Sequence, residues 1–433
     1  MRNLVRFGLA AALLVALAAV QHGIRVEAAG GPSDTVNGPY RVLAPIESGN
    51  LLLFPVVRDS GKSPEETPFI TLDEGIRSGE VEVTEAGRAQ GLVRRRGLVG
   101  VPPYGEGGVE NPEPQNDSFA EDEVNTLVLV NRSRKPLILL AGEVVTGGKQ
   151  DRIVAKDRIV PVGADPIDLS VFCIEPGRWT ESSATFGASA EAPSHSFMVQ
   201  PAVREKAMVT QDQQQVWDSV HGAISQMEMA AAPPNSSAMD GGPGFYPDSP
   251  GTTSYAKVME SSAVSERVDE AAAPVMKARE QVLAQLREEH AVGVVVAVRG
   301  EIVWADLFAD TDLLSRYWIK LVRSYAAESL DEGAIHSAPT VADAQHFLDA
   351  PAKGTESSVG DVGVYRYREL TSGGTETFVL ESLLPGTGYD VHISKMKLRG
   401  GIHHAVKPQP DFPPPMYRPD DAPPQVYRPD VVR

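Results

Sequence analysis

A series of short apolar runs, each bounded by glycine, proline or polar turn residues, places the strongest constraint on the fold. Between residues 36 and 180 these runs have the length and the branched side chains of β-strands. The predicted strands are 51–57, 69–72, 126–130, 137–140, 158–162 and 167–174. Residues 73–87 are compatible with a short helix, and the proline- and acid-rich segment 102–123 is predicted to be a loop. The first half is therefore expected to be β-rich.

Longer helical patterns appear in the second half, residues 263–400. The predicted elements are a helix at 265–289, a hairpin at 292–298 and 301–304, a helix at 313–330, and closing strands at 375–384 and 389–394. Pro274 marks a kink or break in the first helix. Arg316, Lys320 and Arg323 fall outside the apolar stripe of the second helix. Together the halves predict one discontinuous α+β domain with a β-rich core and two or three long helices.

Two segments of biased composition interrupt and follow this domain. Residues 181–262 are poor in aromatic and branched side chains, and we expect a mostly flexible insert with one short helix at 213–227. Residues 401–433 form a proline-rich tail that repeats Tyr-Arg-Pro-Asp, beginning at Tyr417 and at Tyr427. Proline at this density favours extended, disordered chain. The tail is either inert or a docking segment for an envelope protein.

The chain begins with the three-part pattern of a secretory signal. Arg2 and Arg6 precede an uncharged apolar run at 7–20, and Val26-Glu27-Ala28 offers a cleavage region. The apolar run is short for a bilayer span, which needs roughly 20 residues. We therefore expect a signal peptide at 1–28 and a periplasmic or extracellular protein. An uncleaved signal, the alternative, would be its only membrane anchor.

Cysteine count and charge exclude several classes of function. Cys173 is the only cysteine, so the chain cannot form an internal disulfide and must depend on a packed core. The net charge of −18 opposes binding to nucleic acid and to acidic lipid. The histidines do not combine with carboxylates at a recognised metal-binding spacing. No metal and no other cofactor is expected.

Polar residues gather after two of the predicted strands. The first group lies between Gly142 and Arg152, and the second between Glu175 and Trp179. The first group does not match a nucleotide phosphate loop, because Gln150 stands where a serine or threonine must bind magnesium. As a site, the two groups would bind an anionic sugar-like molecule, with arginine holding the anion and tryptophan stacking on the ring.

That hypothesis assigns a role to each residue. The candidate catalytic residues, which would act on hydroxyls or on water, are Glu143 and Glu175. The candidate ligand-binding residues are Lys149, Gln150, Asp151, Arg152, Arg178 and Trp179. The competing hypothesis is structural: Glu175 and Arg178 pair with neighbours such as Asp151 and lock two hairpins together. In that case the chain would be a non-catalytic exported scaffold that contacts an envelope partner through its tail or insert.

The same motifs carry a family resemblance. Gly142-Glu143, Gly148-Lys149-Gln150-Asp151-Arg152 and Cys173-x-Glu175-x-Gly177-Arg178-Trp179 resemble the bacterial ARPP-type domain, and the likeness covers roughly residues 39–395. The family name abbreviates "ARG and rhodanese-phosphatase-superfamily-associated protein", and the family has no established activity. The name implies gene-neighbourhood links to ADP-ribosylglycohydrolases, and hence an ADP-ribose-like or sugar-phosphate ligand. Whether the chain is an enzyme stays open.

Overall fold

The computed structural model describes residues 40–58, 68–85, 126–178, 181–232, 252–277, 291–330, 337–350 and 354–398. These residues all belong to one compact unit, which ends at Leu398. The predicted signal peptide at 1–28 and the tail at 401–433 lie outside the described residues, as does the predicted loop at 102–123.

Eighteen strands and seven α-helices make up the described residues. The strands are β1 (Tyr40–Val42), β2 (Ile46–Ser48), β3 (Leu51–Arg58), β4 (Ile70–Thr71), β5 (Val81–Glu85), β6 (Thr126–Asn131), β7 (Leu137–Leu139), β8 (Val144–Thr146), β9 (Arg152–Val154), β10 (Arg158–Val160), β11 (Ile167–Cys173), β12 (Gly187–Ala188), β13 (Ala291–Val298), β14 (Glu301–Phe308), β15 (Thr355–Asp361), β16 (Tyr365–Ser372), β17 (Thr375–Ser382) and β18 (Asp390–Lys397). The helices are α1 (Leu72–Ser78), α2 (Pro201–Glu205), α3 (Gln213–Ala231), α4 (Tyr255–Glu260), α5 (Ser262–Lys277), α6 (Thr311–Ser329) and α7 (Val341–Asp349). A π-helical turn, Lys206–Thr210, continues α2.

A nine-stranded antiparallel sheet joins the two halves of the chain. Its strand order is β1-β3-β13-β14-β18-β17-β16-β15, with β2 paired to β3 at the β1 end. The central contact pairs β3, from the first half, with β13, from the second. All eight residues of β13 are buried, because both faces of the sheet are covered at this point.

Alternation along β3 and β13 divides the core into two layers. Leu51, Leu53 and Val57 of β3 face the larger cluster, into which α5 and α6 also pack. Leu52 and Phe54 face the opposite side, where helix α7 covers the sheet. Successive side chains of a strand point to opposite faces, so one apolar strand supplies both layers.

A six-stranded sheet of order β12-β8-β9-β11-β6-β5 forms a second, smaller core. Its two ends meet where the backbone N–H of Phe186 donates to the carbonyl of Val83, 2.9 Å away, so the sheet curls into an open barrel. Leucine and valine side chains of β5, β6, β9 and β11 fill its interior. A three-stranded sheet, β10-β7-β4, lies beside it and includes the parallel pair β4 and β7.

The predicted fold class is confirmed, with more helices than expected. The long helices α3, α5 and α6 have 16 to 19 residues, and four shorter helices accompany them. The helix predicted at 73–87 is wrong for residues 79–85, because Gly79 adopts a left-handed conformation with φ of 73° and ends α1. The chain then forms β5.

Residues 181–262 also contain more helix than the single one predicted. The expected helix is α3, and α2, the π-helical turn and α4 accompany it in the described parts of this segment. Phe197, Met198 and Val203 are fully buried there in the main core. Alanine and methionine fill many of the remaining buried helical positions, which a count of branched and aromatic residues does not detect.

Candidate functional site

Two chain segments bring the predicted polar residues together. The glycine turn Gly147-Gly148 connects β8 to β9, and the turn from Glu175 to Arg178 follows β11, which pairs with β9. Both glycines have positive φ, and a Cβ on Gly148 would lie 2.4 Å from the ring of Phe186. Only glycine allows this close approach.

Arg178 lies at the centre of this arrangement. Its Nε donates to Oε2 of Glu175 at 2.7 Å, and its Nη1 donates to the carbonyl of Gly148 at 2.7 Å. Its Nη2 reaches the carbonyl of Gly147 at 3.3 Å and Oδ1 of Asp151 at 3.2 Å. The side chain is 14% exposed. Every nitrogen of the guanidinium group therefore already has a protein acceptor.

The two carboxylates beside Arg178 also have several partners each. Asp151 accepts hydrogen bonds from the Ser254 hydroxyl at 2.8 Å and from the Gly147 N–H at 3.0 Å. Burial and the neighbouring Glu175 raise the pKa of Asp151. Burial also favours the neutral form of Glu175, but the hydrogen bond and charge of Arg178 outweigh it, so the pKa of Glu175 is lowered.

The other predicted ligand-binding residues lie beside this cluster. Arg152 is 1% exposed, and its Nη1 donates to the backbone carbonyl of Gln150 at 2.7 Å. The backbone N–H of Lys149 donates to Oε1 of Glu85 at 3.0 Å. The Gln150 side chain is buried, and its Nε2 has no partner among the described residues. Trp179 lies outside the described residues.

Glu143 belongs to a different cluster from Glu175. It is fully buried, and its Oε1 lies 2.6 Å from Nζ of Lys320, which is also 2.8 Å from Oδ1 of Asp73. Its Oε2 accepts the backbone N–H of Leu140 at 2.8 Å. Burial raises the pKa of Glu143, while Lys320 opposes that effect. Glu143 thus lies inside the core with its charge paired.

A third polar network was not predicted from the sequence. His392 on β18 lies between two carboxylates: its Nδ1 is 2.6 Å from Oδ2 of Asp157, and its Nε2 is 3.2 Å from Oδ1 of Asp306, without the alignment of a hydrogen bond. Arg204 forms a two-pronged contact with Asp306, at 2.9 and 3.2 Å. Asp157 also accepts the backbone N–H of Ala141 at 2.7 Å.

The network contains two carboxylates, one arginine and one histidine, so its charges balance when the histidine is protonated. Burial by itself would lower the pKa of His392, but Asp157 and Asp306 raise it to about 9, so the imidazole is protonated at neutral pH. The pKa of Asp306 is held well below its usual value, despite burial, by Arg204 and His392. All four side chains are at most 1% exposed. The network is therefore sealed from solvent.

One signal in the sequence could have pointed to this network. Asp306 lies within the apolar run Val303-Trp304-Ala305 to Phe308, and His392 lies within a predicted strand. A charged side chain in the middle of a buried strand requires a partner of opposite charge. Asp157 and Arg204 show no such local pattern.

Other features bear on the chemistry available. Burial raises the pKa of the Cys173 thiol to about 11, so it is protonated and unreactive at neutral pH. Across the described ranges, histidine, cysteine and carboxylate side chains do not assemble in groups of three that could hold a metal ion. No helix in those ranges is long and apolar enough to cross a membrane.

Two surface cavities lie away from the predicted residues. One, of about 480 Å³, is lined by residues that include Glu74, Arg134, Lys135 and Arg316. The other, of about 580 Å³, lies beside Phe186, where β5 and β12 approach each other. The residues lining either cavity include none of the eight predicted catalytic and ligand-binding residues.

The fold and these clusters define an α+β domain with a nine-stranded sheet, a smaller six-stranded sheet and charged residues that are compensated in its interior. The chain belongs to the family described as the ARG and Rhodanese-Phosphatase-superfamily-associated Protein domain, whose profile matches residues 39–396. This confirms the resemblance found in the sequence motifs and agrees with their extent. Neither a curated protein nor a solved structure matches the chain.

Proposed function

We propose that this chain is an exported, non-catalytic scaffold or interaction domain, in which the predicted site residues act as a structural lock. The observation that carries the proposal is that each nitrogen of the Arg178 guanidinium already donates to a protein acceptor. These acceptors are Glu175, Asp151 and two backbone carbonyls. An anion would have to displace protein acceptors that are already in place. Such displacement takes the guanidinium from two buried carboxylates and leaves Glu175 with only the exposed Lys257, 3.4 Å from its Oε1, which is costly.

Burial of the other predicted residues supports the same proposal. Arg152 and Gln150 are covered, and Glu143 is paired with Lys320 inside the core. General acid–base catalysis needs a carboxylate within hydrogen-bond reach of the substrate, directly or through one water. Glu143 has no exposed surface from which to provide it.

One observation favours the second candidate, a site for an anionic sugar-like ligand. Asp151 and Glu175 lie side by side, and their pKa values are displaced in opposite directions. Carboxylates whose environments separate their pKa values are the usual signature of an acid and base pair. The two candidates make different predictions for ligand binding and for the role of Arg178.

Thermal unfolding of the purified protein distinguishes them. As a scaffold, the protein should show no change in Tm with ADP-ribose, sugar phosphates or uronates. Arg178→Ala should lower the free energy of unfolding by about 3 kcal/mol, the low end for a broken buried pair, because the side chain keeps some contact with water. The control is Arg366→Ala, which removes a guanidinium that also makes two contacts with one carboxylate, Glu381, but on the surface. It should have a much smaller effect.

The opposite result would replace the proposal with the second candidate. That result is a rise in Tm with one of these ligands that disappears in Arg178→Ala, while the variant without ligand keeps the stability of the wild type.

A further inference from the structure

The two edges of the nine-stranded sheet are treated differently. At one edge, Gln345 of α7 satisfies the outward backbone groups of β1: its Oε1 accepts the N–H of Val42 at 2.8 Å, and its Nε2 donates to the carbonyl of Tyr40 at 3.1 Å. At the other edge, no described strand or helix pairs with the outer side of β15. All seven residues of β15 are exposed.

β15 lacks three of the devices that commonly protect an edge strand: lysine, proline and a β-bulge. Its sequence, Thr-Glu-Ser-Ser-Val-Gly-Asp, contains no lysine and no proline. Its register with β16 runs over seven residue pairs without a bulge. An unprotected edge of this length presents a row of backbone donors and acceptors that can pair with another strand.

Apolar side chains accompany this edge. Val359 lies opposite Tyr367, which is 1% exposed, whereas Val359 itself is 53% exposed. Val362, in the following turn, is fully exposed, and Leu383 lies beside that turn through the hydrogen bond from its N–H to Val364. The face of the sheet that is buried at Tyr367 is therefore exposed to solvent at Val359, on the edge strand.

We propose that β15 is a dimerisation edge, which pairs antiparallel with β15 of a second copy of this chain. Residues directly opposite each other in an antiparallel pair point to the same face of the sheet. Val359 can therefore lie opposite Val359 of the second copy, with the twofold axis between them. That register places Asp361 opposite Ser357 and Glu356 opposite Val362. No carboxylate then faces another carboxylate.

Charge supports a second copy as the occupant. Asp361 is paired with Arg158, whose Nη2 lies 3.2 Å from its Oδ2, and the charge of Glu356 helps to raise the pKa of Arg366 on the neighbouring β16. Both carboxylates of β15 therefore have a cation of their own chain nearby, and pairing does not require a basic partner strand. The contact would be isologous, with the same strand used by both copies, and it would close after two chains. It would cover the free edges of both sheets at once. This inference is independent of whether the polar clusters bind a ligand.

Light scattering after size-exclusion chromatography, over a wide range of concentrations, tests the proposal. The wild-type protein should have twice the mass of the chain, and Val359→Lys should halve that mass, because lysine is an effective block on an edge strand. The control is Val162→Lys, at a valine that is 52% exposed and lies outside the β15 hairpin. This variant should remain dimeric.

Cross-linking tests the register. Val359→Cys should form a disulfide-linked dimer with diamide as the oxidant, whereas Val162→Cys should not. The native Cys173 does not interfere, because it is buried and its thiol has a pKa of about 11. A wild-type protein that is monomeric at every concentration overturns the proposal, and so does a Val359→Lys variant that stays dimeric.

Discussion

Replacing His392 by glutamine gives the most direct test of the buried charge network. Glutamine can still donate a hydrogen bond to Asp157 but cannot be protonated, so the variant isolates the contribution of the imidazolium. The pKa of the neighbouring Arg204 is raised and that of Asp306 is lowered, so both are displaced away from neutral pH. Arg204 stays charged, and burial raises the pKa of Tyr325, which donates to Asp306, well above 10.

The size of the effect follows from the two pKa values of His392. In the folded protein its pKa is about 9, against about 6.5 in an unfolded chain. Burial lowers the folded value, and Asp157 and Asp306 more than reverse that effect. A difference of about 2.5 in pKa corresponds to about 3 kcal/mol at 25 °C. Because the folded value is the higher one, this stabilisation is fully present below pH about 6.5 and is lost as pH rises to about 9.

Urea denaturation of the wild type and His392→Gln between pH 6 and pH 10 measures this contribution. The difference in free energy of unfolding between the two proteins should shrink by about 3 kcal/mol across that range. Taking the difference removes the titration of lysines and tyrosines common to both. His346→Gln, at an exposed position on α7, is the matched control, and its difference from the wild type should lack this change. A constant difference for His392→Gln from pH 6 to pH 10 would refute the reasoning.

Two further predictions concern the other buried groups. Lys320→Met should lower the free energy of unfolding by about 3–5 kcal/mol, because Glu143 and Asp73 lose the cation that both contact, whereas Glu143→Gln should cost less because Lys320 keeps Asp73. Urea denaturation measures both, and equal losses would contradict this account of the cluster. Cys173 should react with a thiol reagent only after unfolding, because burial raises its pKa to about 11. Mass spectrometry measures the labelling, and rapid labelling of the native protein at pH 8 would contradict this prediction.

Elements with a strong local pattern could be predicted from the sequence. The helix expected at 313–330 is α6, Thr311–Ser329, and the hairpin around Arg299-Gly300 is β13 and β14. β15 could not be found in this way. All its residues are exposed, so it has no alternation of apolar and polar side chains, and it exists as a strand because it pairs with β16.

Most contacts within the polar clusters could not be predicted from the sequence either. Glu175 and Arg178 are three residues apart, so the turn after β11 brings them together, and their pairing could be anticipated. Glu143 and Lys320 are 177 residues apart, and Asp157 and His392 are 235 apart. Their contacts depend on how elements far apart in the chain pack together, which periodicity along a single sequence does not specify. The catalytic roles assigned to Glu143 and Glu175, and the ligand-binding role assigned to Arg178, stay predictions.

The buried charges fix the register of strands in the nine-stranded sheet. Asp306 on β14 faces the same side of the sheet as Trp304 and Phe308, and it lies opposite Ser394 of β18. If β14 moved by one residue against β18, Asp306 would turn to the other face, among Ala305, Leu307 and the apolar layer under α7. An apolar residue at 306 would tolerate that slip, whereas a carboxylate would lose its arginine and histidine partners together. Each such pair adds little net stability over an apolar contact, but it excludes the neighbouring registers, since these would leave a buried charge unpaired. Arg178, between Asp151 and Glu175, excludes alternative arrangements of the two hairpins by the same physical effect.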